Sequence, residues 1–130
     1  MSDEISYLTY TALFTALLWV PYVLNRISVL GLLSALGYPE NPSPGADWAI
    51  RLKAVHSNGV ENLVVFAPLV LIVEITGISS AATALSCMIF FYARIVHALS
   101  YTFAVPYVRT LSFAVSFFAM MGIAWQIITA

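Results

Sequence analysis

The stretch Ser80–Ala104, SAATALSCMIFFYARIVHALSYTFA, decides the fold. As a helix rising about 1.5 Å per residue it is long enough to cross a hydrocarbon core of about 30 Å. It nevertheless carries Arg94, His97 and Tyr101. An ionisable side chain at that depth costs from about 3 to more than 10 kcal/mol unless it faces protein or water, so such residues ordinarily mark a site. Positions i, i+3 and i+7 of a helix share a face. Arg94, His97 and Tyr101 therefore form one polar stripe.

The rest of the chain has the same character. Hydrophobic residues make up 62% of the 130 residues and charged ones 8%, with a mean hydropathy of +0.94. A soluble domain carries about a quarter charged residues, so the solvent for this chain is lipid. Apolar spans run from about residue 7 to 30, 49 to 75, 80 to 104 and 107 to 128. Helix is the state in which a span satisfies its own backbone in a bilayer. The expected fold is an all-α integral membrane protein, one four-transmembrane-helix bundle over residues 1–130. Asp3 and Glu4 stand where a signal peptide would be positive, so the first span is expected to remain as an anchor. A net charge of −1 offers no basic patch for nucleic acid, and the lone Cys87 excludes an internal disulfide.

Connections differ in kind. Gly37–Gly45, GYPENPSPG, reads as a loop, Thr76–Ser79 as a tight turn, and Val105-Pro106 as a helix break. Pro21 and Pro68 fall inside spans one and two and are expected to kink them. Arg26, Arg51 and Lys53 flank the first loop and Arg109 follows the third; the termini and second turn have no Lys or Arg. The positive-inside rule then places loops one and three in the cytoplasm and both termini opposite. The expected residence is a bacterial inner membrane.

In span two, Asn58 and Glu61 lie three apart on one face, with Arg51 seven residues before Asn58. Antiparallel packing brings this stripe level with that of span three, and a Glu61–Arg94 pair is the expected way to keep both charges from lipid. Such a pair alone would only fix helix register. His97, Tyr101, Asn58 and Arg109 converging on the same side suit a polar, anionic molecule, because arginine offers forked donors for carboxylates. His56 lies about 140° around the helix from Glu61 and has no metal ligand at i+4, so it reads as a structural hydrogen-bonding residue and no metal site is expected. Cys87 reads as a core packer. Phe113, Phe117, Phe118 and Trp125 read as lipid-facing or packing residues, and Tyr7, Tyr10 and Trp125 as interfacial anchors. Asp3, Glu4, Glu40 and Asp47 read as solvated charges and Glu74 as interfacial.

The segment His56-Ser57-Asn58-Gly59-Val60-Glu61-Asn62 resembles the second-helix motif H-x-N-x-x-E-N of the membrane-associated proteins in eicosanoid and glutathione metabolism. Arg94-x-x-His97-x-x-x-Tyr101, followed by Arg109-Thr110, resembles that family's third-to-fourth helix signature. The resemblance covers most of the chain. It implies a homotrimer that binds glutathione between subunits near the cytoplasmic face, with a lipophilic electrophile supplied by the bilayer. It assigns Asn58, Glu61, Arg94, His97 and Tyr101 to the glutathione site, Arg109 to stabilising the thiolate, and Arg26 to the peptide's carboxylates. Tyr101 is a candidate second donor to the sulfur. Ala54 and Ser57 depart from the pattern, since many catalytic members carry arginine at one or both positions. Three functional classes stay open: a glutathione-dependent transferase or peroxidase, a non-catalytic lipid or small-molecule binder, and a structural accessory subunit.

Overall fold

Apolar periodicity becomes six helices in a computed structural model that describes residues 1–40 and 44–130. They are α1 (Asp3–Leu17), α2 (Trp19–Leu30), α3 (Leu32–Leu36), α4 (Asp47–Thr76), α5 (Ala81–Thr102) and α6 (Val108–Ile128), with no strand among the described residues. Helices α1 and α2 together, α4, α5 and α6 make four spans long and apolar enough to cross a membrane. Of the expected first loop, Asn41, Pro42 and Ser43 lie outside the described residues.

The breaks have local causes. Pro21 has no N–H to offer the Leu17 carbonyl, and α1 ends at that residue. The Leu18 N–H bonds instead to Thr15 at 3.3 Å. Helix α4 runs through Pro68 without interruption. Gly31, at φ 84°, separates α2 from α3, a short helix that the sequence pattern did not announce. Gly77 closes α4 in the left-handed region at φ 72°, and the Ile78 N–H returns to the Val73 carbonyl at 3.2 Å. Ser80 and Thr83 then start α5 with a reciprocal capping box.

Packing is unequal along the bundle. Phe66, Val70 and Val73 of α4 meet Cys87 and Phe90 of α5 and Ala119, Met120 and Ile123 of α6 in the half nearer the α4–α5 turn. Phe66 and Phe90 stack at 3.9 Å. Toward the opposite end the core thins to Leu18, Leu52, Val55 and Ala98. Buried hydroxyls of Thr11, Thr15, Ser100, Ser112 and Ser116 donate to carbonyls one turn back in their own helices. That is how a polar side chain survives where lipid offers it no partner.

Glu4 corrects the sequence reading. It is 1% exposed, not solvated. Its Oε1 accepts from Ser79 Oγ at 2.7 Å and from Thr83 Oγ1 at 2.6 Å. The first turn of α1 is thereby tied to the α4–α5 turn. Ser2 Oγ adds a bond to Glu74 Oε2 at 2.7 Å on the exposed side.

Candidate functional site

Antiparallel α4 and α5 set their polar stripes against each other. Arg94 Nη2 donates to Asn58 Oδ1 at 2.5 Å. Asn62 Nδ2 donates to the Asn58 carbonyl at 2.8 Å and to Oδ1 at 3.3 Å. Two donors converging on one oxygen define which way the Asn58 amide is turned.

The expected Glu61–Arg94 pair is not formed. Asn58 and Glu61 differ by about 60° around the helix axis. That rotation is enough to turn Asn58 to α5 and leave Glu61 exposed on the outside of the bundle. The Glu61 carboxylate has no hydrogen bond or ion pair with another described residue. A carboxylate near the middle of a membrane span in that position is too costly to leave against lipid.

Arg94 is 5% exposed and His97 2%. Arg94 Nη1 and His97 Nδ1 are both enclosed and have no hydrogen-bond partner among the described residues. Buried polar atoms in native proteins are almost always bonded, so these two are hydrogen-bonding capacity left unused among the described residues. His97 also meets Tyr101 edge-on at 5.7 Å and Phe113 at 6.1 Å. Asn58, His97, Tyr101, Arg109, Thr110 and Phe113 line a cavity of about 200 Å³. A neighbouring cavity of about 320 Å³ shares Tyr101, Arg109 and Thr110 and adds Arg51 and the α5–α6 turn. Arg51 is held there by its Nε, which donates to the Thr102 carbonyl at 2.8 Å.

The structure thus joins Asn58, Arg94, His97, Tyr101 and Arg109 in one place. Arg26 is elsewhere. It lines a third cavity of about 310 Å³ with Tyr22, Asn25 and Lys53, between α2 and α4. On that side Tyr22 Oη and His56 Nδ1 lie 2.7 Å apart, the structural bond expected of His56. Thr110, Phe113 and Asn62 were not singled out as site residues. Phe113 stands four residues after Arg109 and so on its helical face, a signal available in the spacing but outweighed by the lipid-facing reading. Asn62 lies in the quoted second-helix segment, yet its role depends on the Asn58 rotamer.

The sequence profile of the MAPEG family matches residues 7–129. The chain belongs to the MAPEG family. As a MAPEG protein with four apolar spans, it is a multi-pass membrane protein. No curated protein and no solved structure matches the chain. Within the MAPEG fold the second and third spans are α4 and α5, which carry the polar cluster.

Proposed function

We propose that this MAPEG protein is a glutathione-dependent membrane transferase or peroxidase acting on lipophilic electrophiles. The observation that carries the reading is the pair of enclosed, unpartnered atoms, Arg94 Nη1 and His97 Nδ1: His97 lines the cavity with Arg109, and Arg94 lies behind it, bonded to Asn58 of the same lining. A cationic, donor-rich pocket suits a peptide with two carboxylates and a thiol. The family supports glutathione as the co-substrate, since MAPEG members commonly use it.

The two faces of α4 support assembly. Asn58 and the α5 stripe lie on one side, and Arg26 with Lys53 on another. All the glutathione-site residues reach one ligand only if the Arg26 side of one copy meets the Arg94 side of the next. Such a head-to-tail contact closes into a ring, here a homotrimer. Glu61, exposed on the protomer, would then face a neighbouring copy or the peptide's ammonium and not lipid. The cytoplasm is assigned to the end carrying Arg26, Arg51, Lys53 and Arg109.

Arg109 would act on the thiol. A free thiol is only a few per cent thiolate at neutral pH, and the thiolate is the nucleophile. A guanidinium beside sulfur favours the anion by roughly 1.4 kcal/mol per pKa unit. The thiol proton passes to water, and the sulfur forms a bond to an electrophilic carbon of a substrate entering from the membrane side. That substrate expels its leaving group as an anion or, at an activated double bond, takes a proton from water on the adjacent carbon. Conjugation of a lipophilic electrophile by the protein in nanodiscs tests this. Arg109→Ala is expected to lower turnover by about a hundredfold. Turnover equal to wild type in that variant would remove Arg109 from the mechanism, and no glutathione binding at all would favour a non-catalytic binder.

A further inference from the structure

We propose that the ring face of Tyr101, and not its hydroxyl, positions Arg109: the tyrosine is a platform that holds the guanidinium at the cavity. The contact stands on the structure; its consequence for a thiolate rests on the glutathione reading above.

Arg109 Cζ lies 4.8 Å from the centroid of the Tyr101 ring, within the roughly 6 Å over which an aromatic quadrupole attracts a cation. Arg109 is exposed, and its guanidinium has no hydrogen bond or carboxylate partner among the described residues. The ring is therefore what holds it. The Tyr101 hydroxyl likewise bonds to no other described residue. The ring itself is anchored. It packs against the cluster of Leu18, Leu52, Val55 and Ala98 and meets buried His97 edge-on at 5.7 Å.

Helix electrostatics argues against Arg109 standing where it does for the helix's own sake. It is the second residue of α6, at the positive end of the macrodipole, and the first turn holds no acidic residue. A solvated arginine there gains by swinging away. The turn before it is built to bring it back. Ala104 and Tyr107 adopt positive φ values of 56° and 67°, and the Val108 N–H closes on the Pro106 carbonyl at 2.8 Å. This is a tight, strained reversal for non-glycine residues, and such strain persists where the surroundings over-determine it. It starts α6 close enough to the end of α5 for Arg109 to lie over Tyr101.

A long cation with many rotamers loses much of its benefit in being ordered at the moment of binding. Holding it on a ring beforehand removes that loss. Replacing the ring with Tyr101→Leu is expected to lower the thiolate-to-thiol ratio of bound glutathione by about three- to tenfold. Tyr101→Phe, which keeps the ring, is expected to rescue most of that loss.

Two readouts in nanodiscs test the proposal. The first uses arginine-labelled protein without glutathione. The Arg109 Nε–Hε resonance, identified by its loss in Arg109→Lys, should be ring-shifted in wild type and Tyr101→Phe and return toward free arginine in Tyr101→Leu. The second follows thiolate ultraviolet absorbance against pH with glutathione bound. A resonance indifferent to loss of the ring overturns the platform, as does a Tyr101→Phe protein that loses as much thiolate as Tyr101→Leu. The rest of the arginine spectrum reports whether each variant is folded. If wild type itself gives no thiolate band, the glutathione reading falls and the resonance alone decides the platform.

Discussion

The two ends of the bundle bury charge in opposite ways. At the α4–α5 turn, the Glu4 carboxylate is enclosed and receives two hydroxyl bonds, from Ser79 and Thr83. Beside it lies the thicker core around Phe66 and Phe90. Toward the α5–α6 turn, Arg94 is also buried, but one of its terminal nitrogens and a nitrogen of His97 have no partner among the described residues. The core there is thinner, cavities open, and the turn is strained. Both ends exclude water from an ionisable group. The first leaves no buried atom of its charged group without a partner among the described residues, as a structural clamp must. The second leaves Arg94 Nη1 and His97 Nδ1 uncommitted, as the proposed ligand site requires.

Substitutions can break this contrast. The largest expected effect is on the packed half: Phe66→Ala should cost about 3–5 kcal/mol in detergent unfolding while leaving glutathione affinity close to wild type. Equal loss of affinity would mean that the halves are not separable. Next, Arg94→Met should hold or raise unfolding stability, because an incompletely bonded buried charge is replaced by an apolar side chain of similar length. The same variant should lose glutathione affinity by about ten- to hundredfold. Marked unfolding of Arg94→Met would make Arg94 a clamp like Glu4. Thr83→Val should cost about 2 kcal/mol by stripping a donor from buried Glu4, with no effect on ligand. Smallest is Glu74→Gln, on the exposed side of the same end. Its bond to Ser2 is solvated, and unfolding should shift by no more than about 0.5 kcal/mol.

What was legible in the sequence follows from the range of the interactions. Four spans were legible because hydropathy over about 20 residues is a local property, and their ends agree with the helices to within a few residues. The Arg94–His97–Tyr101 stripe was legible because helical period alone puts it on one face. The prolines were legible only in part: both were expected to kink their spans, and α1 ends at Leu17 before Pro21, but α4 runs on through Pro68, so the missing N–H alone does not decide a break. Glu4 was not legible: its burial depends on hydroxyls 75 and 79 positions away, brought near by the bundle. The Glu61–Arg94 pairing failed on a finer point. Opposite charge made it the cheaper contact on paper, but helix rotation gave Arg94 to Asn58. Arg26 could not be placed from spacing, since which side of α4 it meets is set by the fold of α2.

Calorimetric titration of glutathione into wild type and Arg94→Met in nanodiscs, side by side, tests the central claim most directly. Saturable heat in wild type, lost or weakened at least tenfold in the folded variant, is the result expected if the unpartnered guanidinium nitrogen serves a ligand. Identical isotherms, or no heat from wild type, would contradict it.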